Sequence, residues 1–318
     1  MGDISLRATV QCLVSSMNKK LLENVKSPHP SPFPKGKEAV RLPHWLKRAL
    51  PKGNTDHLTE RTVQSLCLQT VCDHAKCPNR MECFARNTAT FLILGSVCTR
   101  NCRFCSVEHG TPSPADPTEP ERIAEAVAVL GLSHVVLTCV SRDDLVDGGV
   151  EQFVCCLDAI RRRCPITSLE VLPSDFGGNF EAVDRLADSL PDVYNYNMET
   201  VPRLFSEIRG PIPNFERSLE MFRRIKRRQP AIRLKSGLMF GLGETDREVV
   251  TMLHQLREAG CDSITLGQYL QPAPDCIAVQ RFVPPEEFER WEAEAHTIGF
   301  HTVAAGPFVR SSYQYYQR

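Results

Sequence analysis

Short apolar runs alternate with longer amphipathic stretches from residue 90 onwards. The apolar runs are three or four residues long, the size of short buried strands. They lie at Phe91–Leu94, Val135–Thr138, Leu169–Leu172, Val193–Tyr196, Ile232–Leu234 and Ser263–Leu266. The stretches between them have helical periodicity, at Pro120–Leu130, Glu151–Arg163, Phe180–Ser189, Ser218–Arg228 and Asp246–Ala259. Strands that alternate with helices predict a parallel α/β sheet, because neighbouring parallel strands need a crossover connection.

The number of strand–helix units leaves two architectures open. Six units are too few for a closed barrel of eight, so a partial barrel and a doubly wound sheet both fit the pattern. A last helix, Pro285–Gly299, and a final apolar run, Thr302–Ala305, follow the sixth strand. In either architecture ligands bind at the carboxyl ends of the strands. We therefore expect functional residues directly after the apolar runs.

Charge balance narrows the classes of partner. The chain has 38 Lys and Arg against 38 Asp and Glu, so we expect neither nucleic acid nor membrane as a partner. No apolar run approaches the ~20 residues that span a bilayer. The first 52 residues hold ten Lys and Arg against three acidic residues, a bias compatible with an organelle transit peptide. We expect a poorly ordered basic arm over residues 1–42 and a cytoplasmic location, with an organelle matrix as the alternative.

Six of the fourteen cysteines fall in two groups of three within a short segment. The groups are Cys72, Cys77 and Cys83, spaced C-x4-C-x5-C, and Cys98, Cys102 and Cys105, spaced C-x3-C-x2-C. In a chain without a secretion signal, clustered cysteines indicate metal binding or catalysis rather than disulfides. A structural zinc site takes four ligands, usually as two close pairs, which these groups of three do not match. Iron–sulfur clusters, which are held by thiolates on short loops, fit the spacing better.

The second cysteine group follows the first predicted strand directly. Three thiolates leave one iron of a 4Fe–4S cluster open to a small molecule. C-x3-C-x2-C on the loop after the first strand of a β/α barrel, with the aromatic Phe104 beside its last cysteine, resembles the radical S-adenosylmethionine superfamily. In that superfamily the amino and carboxylate groups of S-adenosylmethionine bind the open iron. The resemblance implies reductive cleavage of this cofactor to a 5′-deoxyadenosyl radical.

A longer series of motifs resembles the lipoyl synthases within that superfamily, over residues 43–313. The motifs are CDHAKCPNRMEC, ATFLILG, CTRNCRFC, RDDLVDGG, NMETVPRLF, KSGLMFGLGE, LGQYLQP and GPFVRSSY, in that order. The resemblance implies a partial (β/α)6 barrel of the TIM type over residues 90–284. It also implies an N-terminal extension over 43–89 and a C-terminal helix and tail over 285–318, which together carry an auxiliary cluster.

In the lipoyl synthases the first cysteine group holds this auxiliary 4Fe–4S cluster, and a serine of the terminal RSSY segment is its fourth ligand. The implied ligands of the two 4Fe–4S clusters are Cys72, Cys77, Cys83 and Ser312, with Ser311 as the alternative serine, and Cys98, Cys102 and Cys105. A serine oxygen is a harder and weaker ligand for iron than a thiolate, which suits a cluster that is dismantled during turnover. The implied reaction inserts two sulfur atoms from that cluster, at C6 and C8 of an octanoyl chain on a carrier-protein lysine, and uses two molecules of S-adenosylmethionine.

Polar residues after the predicted strands are candidates for binding S-adenosylmethionine. The implied cofactor contacts are Arg142, Asp143, Asn197, Glu199, Lys235 and Gln268. By the resemblance, the first two lie at the methionine end of the cofactor and the next two lie near its ribose. A capped turn before the helix that begins at Glu151 explains Arg142 and Asp143 equally well. An ordinary loop role explains Asn197 and Glu199 equally well.

The resemblance also implies the partners. These are octanoylated lipoyl carrier domains, those of 2-oxoacid dehydrogenase E2 subunits and of the glycine cleavage H protein, and an electron donor such as ferredoxin or flavodoxin. A radical enzyme of another type, such as a biotin-forming sulfur-inserting synthase or a methylthiotransferase, and a non-enzymatic zinc protein remain alternatives. Two positions depart from the family pattern: Tyr196 stands where His is common, and Ala305 where Cys or a small polar residue is common.

Overall fold

The computed structural model describes residues 42–47, 58–85 and 90–312. The basic arm expected over residues 1–42 lies outside this part of the chain except for Leu42, and so does Tyr313. Within the described residues, eight strands form one sheet in which each strand pairs with its neighbours in the sequence. The strands are β1 (Gln69–Thr70), β2 (Thr90–Ile93), β3 (His134–Cys139), β4 (Ser168–Leu172), β5 (Val193–Asn195), β6 (Arg233–Phe240), β7 (Ser263–Gln268) and β8 (Thr302–Gly306).

The strand order decides between the two predicted architectures. β1 is antiparallel to β2, and every later pair is parallel. A doubly wound sheet reverses its strand order at a switch point, whereas this sheet never does. Successive crossovers therefore advance in one direction, as in a barrel, and no pairing of β1 with β8 closes the sheet in the described ranges. The predicted α/β fold is confirmed, and its order is that of a partial barrel.

All six predicted strands are present, one of them is longer than its apolar run, and the final apolar run forms a further strand. β6 continues through Lys235 and Ser236 to Phe240, although those polar residues interrupt the apolar run. Both side chains are buried and hydrogen-bonded inside the sheet. The two polar residues therefore did not mark the end of the strand, as the apolar pattern had suggested. β8 pairs in parallel with β7, so the sheet gains a seventh parallel strand beyond residue 284.

Helices connect the strands and cover the outer surface of the sheet. They are α1 (Leu58–Ser65), α2 (Val71–His74), α3 (Arg80–Ala85), α4 (Glu119–Leu130), α5 (Val150–Arg163), α6 (Phe180–Asp188), α7 (Pro202–Arg209), α8 (Phe215–Arg228), α9 (Asp246–Glu258) and α10 (Pro285–Ile298). Local chemistry explains their ends. Thr245 and Glu248 form a capping box at the start of α9, and Gly131 ends α4 with a φ of 62°. The short helices α1 to α3 and α7 are absent from the apolar pattern because few turns leave little periodicity to detect.

The core lies between the sheet and these helices. Residues such as Phe91, Leu137 and Val171 on the strands and Phe153 and Leu186 on the helices have almost no exposed surface. No helix within the described ranges is both long and apolar enough to cross a bilayer. Because the strands from β2 to β8 are parallel, the segments that follow them gather at one end of the sheet, where the candidate site is found.

Candidate active site

A cavity of about 540 Å³ lies at the carboxyl ends of the strands. Both cysteine groups reach it: Cys72 and Cys77 of the first group and all three cysteines of the second border the cavity. Ser311 and Ser312 of the tail border it as well. Segments that are more than 200 residues apart in the sequence therefore share one site.

The second cysteine group lies on a loop that the backbone folds tightly. The amide of Cys98 donates to the Glu108 carbonyl at 2.8 Å, and that of Cys105 donates to the Cys102 carbonyl at 3.0 Å. The sulfur of Cys98 accepts backbone N–H groups from Arg100 at 3.4 Å and Ser141 at 3.3 Å. Amides that donate to a sulfur favour its thiolate form and the negative charge of a cluster. The donor set therefore fits iron–sulfur ligation.

Burial opposes that charge when no metal is bound. It raises the pKa of Cys105 and that of Cys72 to about 12, with a further contribution from the neighbouring cysteines. Burial also raises the pKa of Cys102. Free thiols here keep their protons at neutral pH, and a bound metal must displace them. Loading these sites with iron therefore releases protons.

The first cysteine group is built from two short helices and the turn between them. Cys72 lies in α2, Cys83 lies in α3, and Cys77 lies in the turn, where its amide donates to the Cys72 carbonyl at 3.1 Å. Thr70 caps α2 through the amide of Asp73. Cys77 and Cys83 are close enough to Cys72 for their charges to raise its pKa. The three sulfurs therefore form one local group, although Cys83 lies behind the cavity wall.

The C-terminal tail packs against this first group. The side chain of Asn79, which is 1% exposed, donates to the Phe308 carbonyl at 2.7 Å. Ser311 and Ser312 follow directly and are both half-buried at the cavity. The hydroxyl of Ser106 donates to the His74 carbonyl at 3.2 Å and ties the two cysteine loops together. The structure thus gathers every predicted cluster ligand, without choosing between the two serines.

The ligand spacing differs from that of a mononuclear site. In the described ranges, no three His, Cys, Asp or Glu side chains converge as they would on a single metal ion. A 4Fe–4S cluster has a different requirement, because each thiolate binds a separate iron of the cube.

Three of the predicted cofactor contacts, Asn197, Glu199 and Gln268, lie in the cavity wall. The Asn197 side chain hydrogen-bonds to the Glu199 carboxylate. The side-chain oxygen of Asn197 is buried without a hydrogen-bond partner in the described residues. A Cβ on Gly237 would lie 2.9 Å from this oxygen and 2.7 Å from the Thr265 hydroxyl, so both side chains pack against the backbone at a position where only glycine fits. Asn197 and Gly237 both border the cavity, and an unused acceptor in a cavity wall fits a bound hydroxyl group, such as that of a ribose.

Gln268 and the remaining predicted contacts already have protein partners. Gln268 borders the cavity, but its amide donates to three backbone carbonyls and its oxygen accepts from the Val283 amide. Arg142 lies behind the lining and binds Asp144 and the Leu94 carbonyl. Asp143, also behind the lining, pairs with a buried arginine. Arg142 and Asp143 thus contact other protein groups, as expected if they belong to a capped turn before the helix rather than to a cofactor site.

Lys235 is similarly engaged inside the sheet. Its ammonium lies 2.9 Å from one oxygen of Glu170 and 3.2 Å from the other. Lys235 and Glu170 have side chains only 4% and 1% exposed. Burial by itself raises the pKa of Glu170, but Lys235 and His134 hold it at about 2. This ion pair lies beneath the cavity rather than in its lining.

Arg209 is a cavity residue that the sequence analysis did not select. It ends α7, and its guanidinium lies 4.9 Å from the ring centre of Tyr196. It donates to the Asn197 carbonyl, and its charge acts on Glu199 and Cys102. Its Nε is buried without a hydrogen-bond partner in the described residues. An arginine at a helix end is usually solvated, so nothing in the local sequence distinguished it.

Tyr196, one of the two departures from the family pattern, also borders the cavity. Its ring lies under Arg209, and its hydroxyl accepts from Ser218 at 3.3 Å. A phenol here supplies a flat surface for the guanidinium. Ala305 is half-buried in β8 and lies outside the cavity lining.

Comparisons with known proteins agree with this geometry. The model of the radical SAM superfamily matches residues 92–256. A lipoyl synthase of Rhodopirellula baltica is 53% identical over 275 residues, which are 86% of each chain. A lipoyl synthase of Methylococcus capsulatus is 49% identical and covers 86% of this chain and 85% of its own.

Solved structures resemble the fold at much lower identity. The FeFe-hydrogenase maturase HydG matches with a TM-score of 0.52 and 16% identity, over 77% of this chain and 64% of its own. Methylornithine synthase matches with a TM-score of 0.50 and 12% identity, over 80% of each chain. These two support the fold alone, whereas the sequence relatives are informative about family. On its sequence, this chain belongs to the lipoyl synthase family of radical SAM sulfurtransferases.

Proposed function

We propose that the two cysteine groups hold two separate 4Fe–4S clusters that share the cavity. Cys98, Cys102 and Cys105 would hold the radical cluster. Cys72, Cys77 and Cys83 would hold the auxiliary cluster, together with Ser312 or, as the alternative, Ser311. The observation that carries this proposal is that cysteines of both groups and the two serines border one cavity.

S-adenosylmethionine would bind between the clusters, on the iron that the second group leaves open. When bound, the cluster and cofactor together supply a deoxyadenosyl radical that removes hydrogen atoms from carbon. Asn197 would accept a hydrogen bond from a ribose hydroxyl, since its side-chain oxygen is buried and unused. Glu199 would lie beside it, with Arg209 as its counter-charge. The absence of a side chain at Gly237 lets Asn197 pack closely against β6, which would hold its side chain in place.

The substrate would be an octanoyl chain on a lysine of a lipoyl carrier domain. Apolar side chains provide much of the remaining wall, among them Phe104, Leu238, Met239, Leu270 and Val309. Such a lining suits an alkyl chain and excludes water from a reactive carbon centre. Sulfur would enter at C6 and C8, with the auxiliary cluster as the sulfur-donating substrate. Because both cysteine groups border the same cavity, clusters held by them would favour short transfer distances.

The same proposal assigns the partners and the location. Carrier domains of 2-oxoacid dehydrogenase E2 subunits and of the glycine cleavage H protein would bring the octanoyl-lysine, and ferredoxin or flavodoxin would supply electrons. The zero net charge agrees with the absence of nucleic acid and membrane from this set. The protein would act in the cytoplasm or, if the basic N-terminal arm is a transit peptide, in an organelle matrix.

The test is an anaerobic reaction of the reconstituted full chain with dithionite, S-adenosylmethionine and an octanoyl-lysine peptide, followed by mass spectrometry. The peptide should gain two sulfur atoms in place of two hydrogen atoms. C98A/C102A/C105A should abolish both cofactor cleavage and sulfur gain. C72A/C77A/C83A should still cleave the cofactor but transfer no sulfur. C155A, which changes an exposed cysteine on α5, should behave like the wild type.

Two results would contradict the proposal. Sulfur gain by C72A/C77A/C83A would remove the first group from the role of sulfur donor. Vigorous cofactor cleavage by the wild type without sulfur gain would instead favour a radical enzyme of another type. Iron analysis separates the clusters, because each cysteine-group variant should lose about four of about eight irons.

A further inference from the structure

Arg100 lies between two predicted cluster ligands, Cys98 and Cys102, yet its side chain is only 4% exposed. Its Nε and one terminal nitrogen bind the two oxygens of Asp143 at 2.7 and 2.6 Å. The other terminal nitrogen lies 2.6 Å from Asp175. An arginine that fills this many hydrogen bonds inside a protein is strongly held, because both carboxylates are charge-assisted partners.

The two carboxylates come from different strand ends. Asp143 follows β3 and Asp175 follows β4, and the second oxygen of Asp175 lies 3.2 Å from Arg217 on α8. We call Arg100, Asp143, Asp175 and Arg217 the Arg100 quartet. Its two positive and two negative charges balance, which lowers the cost of burying them. The quartet therefore fixes the cluster loop to two other loops and to a helix.

The same region controls the hydrogen bonds to the Cys98 sulfur. One donor is the amide of Arg100 itself, and the other is the amide of Ser141, two residues before Asp143. Thr99 joins them: its amide donates to the Ser141 carbonyl at 3.0 Å, and its hydroxyl donates to Asp143 at 2.9 Å. Both backbone donors to this sulfur are thus held by segments that the quartet connects.

We propose that Arg100 is a positioning residue for the cluster, and that it acts by holding the Cys98–Cys102 loop through Asp143 and Asp175. The inference rests on the proposed function of Cys98, Cys102 and Cys105. Partners that orient metal ligands commonly contribute 10–100-fold to metal affinity. Hydrogen bonds to cluster sulfurs also set the reduction potential. Loss of the Arg100 side chain should therefore change both cluster retention and potential.

The experiment compares R100M/D143N, R100K and R103M in the reconstituted full chain. R100M/D143N removes one positive and one negative charge and leaves the pair of Asp175 and Arg217, so it should fold. R100K keeps the positive charge but loses the bidentate hydrogen bonding to Asp143. Arg103 is the matched control, since it lies in the same loop but is 55% exposed and pairs only at the surface with Glu207. Far-UV circular dichroism reports folding.

The first readout is the rate at which an iron chelator removes the radical cluster, followed by its reduced-state electron paramagnetic resonance signal. R100M/D143N should lose iron roughly 10–100-fold faster than the wild type. R100K should be intermediate, and R103M should match the wild type. The second readout is the reduction potential from a redox titration, which should fall in R100M/D143N because donors to the Cys98 sulfur are loosened.

A folded R100M/D143N that keeps wild-type iron loss and potential overturns the proposal. The iron content of C98A/C102A/C105A shows whether the role of Arg100 or the proposed cluster site itself is wrong. If that variant keeps its full iron content, the second cysteine group is not a cluster site. If it loses about four irons while R100M/D143N keeps them, only the role of Arg100 is wrong.

Discussion

Replacing Lys235 with methionine removes one partner of a buried ion pair. The change tests whether Lys235 binds the cofactor or stabilises the fold. The resemblance implies that Lys235 contacts S-adenosylmethionine, whereas the structure places its ammonium 2.9 Å from a Glu170 oxygen. Methionine has a similar length and no charge. K235M should therefore lower the stability of the protein. The molecules that remain folded should bind S-adenosylmethionine almost as tightly as the wild type.

The magnitude follows from the burial of the pair. Removing one partner of a buried ion pair costs about 3–5 kcal/mol, because the other charge is left without compensation. Glu170 retains a hydrogen bond from Asn195 at 2.9 Å and one from His134 at 3.3 Å, which places the cost near the lower limit. About 3 kcal/mol corresponds to a fall of about 4–6 °C in apparent Tm for a chain of this length.

The assay is an anaerobic thermal scan at one fixed rate, combined with equilibrium binding of S-adenosylmethionine at low temperature. K235M/E170Q should restore most of the lost Tm, since it leaves no buried charge at either position. R224M is the matched control. It breaks the pair of Arg224 and Asp184, but Arg224 is 39% exposed and solvent screens the pair, so Tm should fall much less than in K235M.

The reasoning is refuted by the opposite pattern. If K235M keeps its Tm but loses cofactor affinity, and K235M/E170Q does not recover that affinity, then Lys235 acts on the cofactor and its pairing with Glu170 is incidental. A K235M variant that loses both, with both recovered in the double variant, supports the ion pair as the cause.

R209M should weaken binding of S-adenosylmethionine about tenfold by equilibrium dialysis, because the counter-charge of Glu199 is lost, while R203M at the exposed end of the same helix should not. N79A removes the bond to the Phe308 carbonyl, so a chelator should remove auxiliary-cluster iron about tenfold faster and leave radical-cluster iron unchanged. The depressed pKa of Glu170, about 2, makes its contribution to stability full above the unfolded value of 4.5 and progressively smaller as pH falls towards 2. The Tm difference between wild type and E170Q should therefore shrink between pH 5 and pH 3, and a constant difference would contradict the assignment.

Much of the fold could be predicted from local pattern. The strand positions were readable because a buried parallel strand is apolar on both faces, as at Val135 and Val136 in β3. Lys235 shows where this fails: β6 continues through a charged residue because Glu170 from a strand two places away neutralises it. The short helices that carry Cys72 and Cys83 also escaped detection, since they are too short to show a period.

The candidate site also has features that the sequence predicted and features that it did not. Spacing alone indicated that the six cysteines bind metal, because a cluster needs its ligands on short loops. The roles of the other polar residues did not follow from their positions after strands. Gln268 borders the cavity, but its amide group donates to backbone carbonyls, and Asp143 pairs with Arg100 in the loop of the second cysteine group.

The sequence by itself determined the succession of strands and helices along the chain, the two cysteine groups and the family, because each depends on residues that are neighbours in the sequence. Only the tertiary structure decided that both groups and the C-terminal serines border one cavity, that Arg209 enters it, and that Arg100 is buried. The physical reason is that the energy of a charge or a polar group depends on what surrounds it in space. Those surroundings come from segments far apart in the chain, which folding alone brings together.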